Sequence, residues 1–380
     1  MPDEYRSRRS CLAVPGSSQR FLDKARGLAA DEVFLDLEDA VAPAAKEAAR
    51  RNVIAALNAG GWGGKLMAVR VNDAATRWAY RDVAEVVAAA GRGLDAIILP
   101  KVTDPGHVVW LDLMLGQIEQ DTGDEPGRIG IEAQIEDARG LAKVDEIAAA
   151  SPRLRALVFG PADFMASVGM RSLRVGAQPA GYVGSDAYHY PLLRILVAAR
   201  GHGLAAIDGP YLAIGDLDGL AKAAASTAAL GYDGKWVLHP TQIEIVNSAF
   251  APSQEDYERA ELIIDAYRYY TSVEHRGAVM LGDEMIDEAS RKLALVAAAN
   301  GRAAGLRRSQ RFEPPMPEGP VPERPVPEKP VPEGPVPDGP VPDGPVPDGP
   351  VPDGPVPDGP VPDGSAEHAP PGEGPGQPAG

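Results

Sequence analysis

Residues 156–163 read Ala-Leu-Val-Phe-Gly-Pro-Ala-Asp, an apolar run that stops at glycine, proline and an aspartate. An apolar run rich in β-forming residues and bounded by turn formers predicts a buried strand, here ending at Phe159. The carboxylate of Asp163 follows directly after that predicted strand end. The same arrangement recurs along the first 240 residues, so this stretch is one unit of a repeating pattern.

Ala-rich amphipathic stretches alternate with the apolar runs, with one longer gap between Phe159 and Leu204. Eight alternating units predict a (β/α)8 TIM barrel, and a doubly wound sheet is the alternative. The predicted strands are residues 11–14, 33–37, 66–71, 96–99, 129–135, 156–159, 204–207 and 236–238, and the predicted helices include residues 46–57, 83–90, 141–150, 192–199 and 217–229.

Polar or turn-forming residues close every predicted strand, and seven of the eight endings supply an ionisable side chain. In a TIM barrel the carboxyl ends of the strands meet at one face, which carries the active site. The polar endings therefore favour a barrel enzyme over a doubly wound sheet or a binding module. The ionisable residues at these endings include Asp36, Glu38, Asp39, Arg70, Lys101, Glu136, Asp137, Asp163, Asp208 and His239.

We expect three parts in the chain. Residues 1–250 form the barrel, and residues 251–306 add two helices, at 257–270 and 287–299, joined by a glycine-bounded loop. This extension is expected to cap the barrel, to pack on a neighbouring subunit, or both. Residues 313–380 form a proline-rich tail.

The tail contains 25 of the 38 prolines, 13 acidic residues and two basic ones, so it carries −11 of the net charge of −17. From Pro320 to Gly364 it repeats Val-Pro-Glu/Asp-x-Pro. Two prolines in every five residues remove backbone donors and fix φ, which excludes helix and sheet. We expect an extended, disordered, polyproline-like segment. It serves as a spacer or docking tract, or, the interpretation we favour, as a solubilising or neutral repeat expansion.

Several classes of protein are disfavoured by the composition. No clustered basic face suggests nucleic-acid binding, and no apolar run of about 18 residues suggests a membrane span. A charged start without a following apolar stretch argues against secretion. The single cysteine, Cys11, cannot form an internal disulfide, so a cytoplasmic location is expected. The motifs of phosphate loops, dinucleotide folds and serine hydrolases are not found.

Carboxylates that converge on one point repel each other unless a positive charge lies between them. Mg²⁺ is the usual partner, since it takes one or two carboxylates and keeps other positions for water and substrate. Glu136 and Asp163 end neighbouring strands and are the candidate ligands. The alternative is that Asp163, like Asp39, caps the helix that follows it.

Three basic residues at the strand ends have two interpretations each. Arg70 suits a substrate carboxylate or a developing enolate oxygen, or it forms a salt bridge with Glu38 or Asp39. Lys101 is a Schiff-base lysine or, as we favour, neutralises the acidic cluster at residues 36–39. His239 is a proton relay or a turn residue.

The strand-end motifs together resemble the citrate lyase β-subunit-like family of CoA-ester lyases, in the HpcH/HpaI aldolase class. Within it, the chain is most similar to the L-malyl-CoA/β-methylmalyl-CoA lyases, over about residues 9–300. The motifs are Pro-Gly-Ser at 15–17, Phe-Leu-Asp-Leu-Glu-Asp-Ala-Val at 34–41, Val-Arg-Val-Asn at 69–72, Leu-Pro-Lys-Val at 99–102, Ile-Glu-Asp-Ala-Arg-Gly at 135–140, Gly-Pro-Ala-Asp-Phe at 160–164, Ile-Asp-Gly-Pro at 207–210, Gly-Lys-Trp-Val-Leu-His-Pro at 234–240 and Met-Ile-Asp at 285–287.

The resemblance implies a TIM barrel with a helical extension, assembled as a homotrimer or homohexamer. It implies Mg²⁺, with Mn²⁺ as the alternative, held by Glu136 and Asp163, and Arg70 on the 2-oxo acid and the enolate. It implies that Asp287 reaches a neighbouring subunit's active site as the base, with Asp283 as its rival. For the CoA thioester, the implied binding residues are Arg20, Lys24, Ala162, Leu238 and His239; Arg20 stands in because the family's arginine after Gly16-Ser17 is replaced by Ser18.

The implied reaction is reversible cleavage of L-malyl-CoA to glyoxylate and acetyl-CoA, or of β-methylmalyl-CoA to glyoxylate and propionyl-CoA. Alternatives on the same fold are a (3S)-malyl-CoA thioesterase, a citramalyl-CoA lyase and a citrate lyase β-type subunit. An aldolase acting on free 2-oxo acids and a scaffold for the tail are weaker alternatives.

Overall fold

The computed structural model describes residues 6–176, 178–184 and 186–314. Eight parallel strands close into a barrel in chain order, and β8 pairs with β1. The predicted (β/α)8 barrel is thus confirmed, and the doubly wound sheet is excluded. The strands are β1 (Ser10–Pro15), β2 (Glu32–Asp36), β3 (Leu66–Arg70), β4 (Ala96–Leu99), β5 (Gly130–Ile135), β6 (Leu154–Phe159), β7 (Ala205–Asp208) and β8 (Gly234–Val237).

Helices follow the strands and cover the outside of the barrel. The predicted helix at residues 141–150 is instead two short helices, because the chain turns at Lys143, and the first of them begins earlier, where the Asp137 side chain accepts from the N–H of Arg139. The helices of the barrel are α1 (Gln19–Ala25), α2 (Lys46–Ala59), α3 (Ala79–Ala90), α4 (Pro105–Thr122), α5 (Ala138–Ala142), α6 (Val144–Ala148), α7 (Pro161–Ser167), α8 (His189–Gly201), α9 (Leu217–Leu230) and α10 (Pro240–Ala249).

Alternate side chains of each strand point to opposite faces, which divides the core into two layers. In β3, Met67 and Val69 pack outward against the helices, while Ala68 points into the barrel. The next inward position is Arg70, at the carboxyl end. The interior layer consists of Cys11, Phe34, Ala68, Ala96, Ile98, Ala156, Val158, Ile207 and Trp236.

Two glutamates lie inside the amino-terminal half of the barrel. Glu32 and Glu132 are at most 1% exposed, and Arg8 forms ion pairs with both. Burial, with a contribution from the neighbouring Glu132 carboxylate, raises the pKa of Glu32 to about 8. This ionic group occupies the end of the barrel opposite to the strand-end residues singled out above.

The chain continues after the barrel as α11 (Gln254–Ser272), β9 (Val279–Leu281), β10 (Glu284–Ile286) and α12 (Glu288–Ala303). The two predicted helices are present. The segment between them, expected to be a loop, is an antiparallel hairpin, because Gly282 takes φ +68 at its turn. Helices α11 and α12 pack closely, with Gly301 against the ring of Tyr257.

The predicted tail falls almost wholly outside the described residues, which end at 314. Within the described ranges, no helix is long and apolar enough to cross a membrane.

Candidate active site

A cavity of about 350 Å³ opens at the carboxyl ends of the strands. Phe34 and Trp236, whose ring centroids are 4.3 Å apart, are the aromatic residues of its lining. The remaining wall carries the ionisable side chains that end β2, β3 and β5 and begin α7. The residues lining the cavity include Ala13, Asp36, Asp39, Arg70, Gln134, Glu136, Gly160, Ala162, Asp163 and Leu238.

Glu136 directly follows β5 and is only 3% exposed. Its Oε1 accepts from the backbone N–H of Lys101 at 2.8 Å, and its Oε2 accepts from Nε2 of Gln134 at 2.7 Å. Burial, with a contribution from the Asp163 carboxylate, raises the pKa of Glu136 to about 8. Glu136 is therefore held in place, and the residues around it do not fully compensate its buried negative charge.

Asp163 is half-buried in the first turn of α7, on the neighbouring strand's loop. The residue at the N-cap position is Gly160, so the alternative in which Asp163 caps this helix is wrong. Asp39 caps no helix either, because the next helical turn begins at Pro43 after Ala42. Asp39 instead accepts from Nζ of Lys101 at 3.3 Å.

Arg70 lies at the end of β3 with its guanidinium 5.3 Å from the Trp236 ring centroid. Nε and one terminal nitrogen donate to Asp36 at 2.8 and 2.6 Å, and the other terminal nitrogen lies 3.0 Å from Glu38. Although burial opposes the charge, the Asp36 carboxylate raises the pKa of Arg70. The expected ion pair between Arg70 and Glu38 is present. The second partner of Arg70 is Asp36 and not Asp39, the alternative suggested by the sequence.

The ammonium of Lys101 contacts acidic residues that follow two strands, β2 and β6. Its Nζ pairs with Glu38, lies 3.3 Å from Asp39 and lies 3.9 Å from Asp163. Burial opposes its charge, but the hydrogen bond to Glu38 raises the pKa of Lys101. A lysine held as an ammonium is a poor nucleophile, so the geometry favours the neutralising role over a Schiff base.

A second cavity, of about 390 Å³, adjoins the first, and Ala13, Pro15 and Leu238 line both. Arg20 and Lys24, four residues apart on the exposed side of α1, line this second cavity together with His239. His239 is the N-cap of α10, where Nδ1 accepts from the N–H of Thr241. The structure thus places Arg20, Lys24, Leu238 and His239 around one space, and Ala162 on the first cavity.

Asp287 lies in the extension and is not among the residues that line the first cavity. It is the N-cap of α12, and its Oδ1 accepts from the N–H of Ser290 at 3.0 Å. That hydrogen bond lowers the pKa of Asp287, the opposite of the raised value that a base near neutral pH requires. Its rival Asp283 is exposed in the turn of the hairpin.

The side chains of Glu136 and Asp163 are suitable ligands for a hard divalent cation. Both are carboxylates, and a cation would compensate the buried charge of Glu136. In the described ranges, no group of three or more His, Cys, Asp or Glu side chains comes close enough to hold a metal. Two carboxylates with the other positions left to water and substrate is the pattern typical of Mg²⁺.

Sequence reasoning missed Gln134, Gly160, Asp36 as a partner of Arg70, and Trp236. Strand alternation was the available signal for Gln134, because it stands two residues before Glu136 and so shares its face. A Cβ on Gly160 would lie 2.3 Å from Oε2 of Glu136, a close approach that only the structure shows.

A closed (β/α)8 barrel with a carboxylate-lined cavity at the carboxyl ends of its strands defines a TIM-barrel enzyme. The chain belongs to the HpcH/HpaI aldolase/citrate lyase family, whose sequence profile matches residues 9–240. The enzyme is accordingly a lyase, and the resemblance found in the motifs is confirmed.

Three similar proteins are informative. The chain is 38% identical over 303 residues to the L-malyl-CoA/β-methylmalyl-CoA lyase of Cereibacter sphaeroides, covering 78% of this chain and 95% of the relative. It is 37% identical over 261 residues to a (3S)-malyl-CoA thioesterase of the same species, covering 68% and 82%. The protein CitE of Mycobacterium tuberculosis, solved in complex with magnesium, acetoacetate and coenzyme A, superposes with a TM-score of 0.61 at 30% identity, covering 79% and 98%.

Proposed function

We propose that this chain catalyses the Mg²⁺-dependent, reversible cleavage of L-malyl-CoA to glyoxylate and acetyl-CoA, and of β-methylmalyl-CoA to glyoxylate and propionyl-CoA. The observation that carries the proposal is the position of Arg70, Glu136 and Asp163 around one cavity. The similarity to a lyase named for both thioesters supports the substrate class.

Glu136 and Asp163 would hold the Mg²⁺, with Mn²⁺ as the alternative cation. Bound there, the cation would supply Lewis acidity toward the hydroxyl and carboxylate oxygens of the malyl group. The magnesium in the complex of CitE supports this assignment. The backbone N–H of Lys101 donates to Glu136, and the ammonium of the same residue lies 3.9 Å from Asp163.

Arg70 would bind the charge that develops on substrate oxygens. A guanidinium has five N–H groups, and three of them face Asp36 and Glu38. Two N–H groups are left over by the bonds seen in the described residues, enough for one carboxylate or for an enolate oxygen. Because Asp36 holds the guanidinium before substrate arrives, no reorganisation is needed as the negative charge forms.

Asp287 would act as the base, supplied by a second copy of the chain in a homotrimer or homohexamer. In the cleavage direction its carboxylate takes the proton of the substrate hydroxyl. The carbon–carbon bond then breaks to give the glyoxylate carbonyl and the enolate of the acyl-CoA, which takes up a proton at carbon. Docking on a second copy would bury Asp287, and burial raises the pKa of a carboxylate.

The second cavity would receive the CoA portion. Arg20 and Lys24 offer positive charge for its phosphates, on the exposed side of α1. Leu238 and His239 line the same space, and Leu238 also borders the first cavity. A thioester could thus extend from one cavity into the other, with its malyl end beside Ala162 and Asp163.

A thioesterase acting on (3S)-malyl-CoA is the second candidate, because a relative of that name is 37% identical to this chain. The two activities differ in the bond that breaks. The lyase yields glyoxylate and leaves the thioester intact, whereas the thioesterase yields malate and a free CoA thiol.

The test is to incubate the full chain with L-malyl-CoA, with and without Mg²⁺, and to follow glyoxylate as its hydrazone and free thiol in parallel. We expect glyoxylate only with the cation, and no free thiol. Free thiol without glyoxylate would establish the thioesterase instead. Silence in both channels would contradict both candidates and direct the assay to citramalyl-CoA and then to free 2-oxo acids.

A further inference from the structure

Gln134 is a buried polar residue that faces into the barrel beside apolar side chains of the interior. Side chains alternate along β5, so Glu132, Gln134 and Glu136 point inward. Gln134 is 3% exposed and lines the first cavity. The register pairs it with Val158 of β6, whose side chain belongs to the apolar interior layer. Burying an amide is unfavourable unless it forms hydrogen bonds, so the contacts of Gln134 should explain its presence here.

The amide of Gln134 and the backbone of Lys101 hold the Glu136 carboxylate from two directions. Nε2 of Gln134 donates to Oε2 at 2.7 Å, and the Lys101 N–H donates to Oε1 at 2.8 Å. A carboxylate that holds a cation is ionised and only accepts, so the amide nitrogen of Gln134, and not its oxygen, faces Glu136. Each carboxylate oxygen accepts one bond from the protein and keeps a lone pair for a cation.

Gly160 closes the remaining side of this pair. A Cβ at residue 160 would lie 2.3 Å from Oε2 of Glu136 and 2.9 Å from Nε2 of Gln134. The amide and the carboxylate therefore lie directly against the backbone at the end of β6. This close packing leaves the Glu136 carboxylate no room to turn in that direction.

The other end of the amide is open. Oε1 of Gln134 is buried and has no hydrogen-bond partner in the described part of the chain. Nearly all buried polar atoms in proteins have a partner. An acceptor beside a candidate cation ligand is suited to a water that the cation carries, since Mg²⁺ retains several of its waters.

We propose that Gln134 is a positioning residue of the cation site: its amide nitrogen fixes the Glu136 carboxylate, and its amide oxygen accepts a hydrogen bond from a water bound to the cation. This inference rests on the proposed Mg²⁺ site at Glu136 and Asp163 and adds a residue that does not itself bind the cation. Partners of this kind typically change metal affinity by about 10–100-fold when they are removed.

The test is the affinity of the full chain for Mg²⁺ alone, measured by isothermal titration calorimetry without substrate. The variant Gln134→Met keeps the length of the side chain and removes both amide atoms, and Gln134→Leu replaces it if the Met variant does not fold. We expect Kd for Mg²⁺ to rise about 10–100-fold.

The matched control is Asn247→Leu, which removes another buried amide. Asn247 accepts from Ser10 and donates to the carbonyl of Ala29, and it lines neither cavity. It should lower the melting temperature and leave Kd for Mg²⁺ unchanged. A loss of affinity in this control equal to that of Gln134→Met would mean that the effect reports general destabilisation, and it would overturn the proposal.

Glu136→Gln separates this inference from the site on which it rests. If Glu136→Gln abolishes Mg²⁺ binding while Gln134→Met binds like the wild type, Gln134 has no positioning role and the cation site stands. If Glu136→Gln itself binds Mg²⁺ like the wild type, the cation site is wrong and the inference fails with it.

Discussion

Both carboxylate oxygens of Asp36 accept hydrogen bonds from Arg70, one from Nε at 2.8 Å and one from a terminal nitrogen at 2.6 Å. The same carboxylate also accepts from the backbone N–H groups of Glu38 and Ala40. Asp36 is 1% exposed, so this arrangement is shielded from water. The direction of the guanidinium is therefore set by the end of β2 and the loop after it, and not by β3 alone.

Replacing Asp36 by Asn should lower kcat/KM for L-malyl-CoA by about 100-fold, because Arg70 loses the partner that aims it at the substrate. The control is Glu119→Gln, which breaks a buried ion pair with Arg153 away from the cavity. That control should lower the melting temperature but not kcat/KM. Equal activity losses in the two variants would contradict a specific role for Asp36.

Gly160→Ala should lower kcat/KM by about 100-fold or more, since the new methyl would displace Glu136, and a shift of about 1 Å in a catalytic group has that effect. Gly201→Ala is the matched change, because a Cβ there meets nothing within 4 Å at the end of α8. Steady-state kinetics should show full activity for Gly201→Ala. A fully active Gly160→Ala would mean that Glu136 tolerates displacement.

Lys101 should form no covalent adduct with substrate, because its ammonium is paired with Glu38 and its pKa is raised. Borohydride added during turnover with glyoxylate would trap a Schiff base as a stable amine. Mass spectrometry of the treated protein should show an unmodified peptide containing Lys101. A reduced adduct on that peptide would restore the metal-free aldolase mechanism.

Asp287→Asn should keep the affinity for Mg²⁺ and for CoA and reduce kcat by about 10²–10⁴-fold, the typical contribution of a general base. The companion variant Asp283→Asn should retain normal kcat, because its side chain is exposed in the hairpin turn. Rapid-quench measurement of glyoxylate formation distinguishes the two. The reverse pattern would make Asp283 the base, and near-normal kcat in both would remove the extension from the chemistry.

Glu32→Gln should make the protein more stable at pH 8 to 9 and hardly change it at pH 5. The folded chain binds the Glu32 proton more tightly than the unfolded chain, with a pKa of about 8 in the folded state. Stability is consequently lost as pH rises from the ordinary glutamate range through about 8, and a neutral glutamine removes that loss. Each kcal/mol recovered raises the melting temperature by about 2–4 °C.

Thermal unfolding followed by circular dichroism across this pH range provides the measurement. Glu47→Gln makes the same charge change at an exposed position and should follow the wild-type curve. If Glu32→Gln and the wild type lose stability in parallel, Glu32 is ionised in the folded chain and the prediction is wrong.

The alternation of apolar runs and amphipathic stretches was sufficient to predict the barrel, because strand and helix periodicities are local properties of the sequence. Strand ends likewise predicted that Arg70, Glu136 and Asp163 would meet, since parallel strands end on one face. The partner of Arg70 could not be chosen from sequence, because Asp36, Glu38 and Asp39 all lie within four residues of each other. In the structure both Asp36 and Glu38 reach the guanidinium, whereas Asp39 contacts Lys101.

Contacts that depend on backbone conformation or on a second copy of the chain could not be predicted from the sequence. One hydrogen bond that holds the Glu136 carboxylate comes from the backbone N–H of Lys101. Lys101 adopts a left-handed φ of +51, which no sequence rule assigns to a lysine. In the proposed assembly, the position of Asp287 relative to an active site depends on a second copy of the chain. A single sequence carries no direct record of how two copies meet.

Cys11 is the only cysteine of the chain and lies inside the barrel with 0% exposure, where burial raises its pKa well above the ordinary thiol value. Thiol reagents react with the exposed thiolate, so the native enzyme should be inert to them. In the glyoxylate assay, any thiol signal from folded enzyme then belongs to CoA and needs no correction for protein. The same thiol becomes reactive when the barrel unfolds, so the rate at which a thiol reagent labels Cys11 reports on unfolding of the barrel.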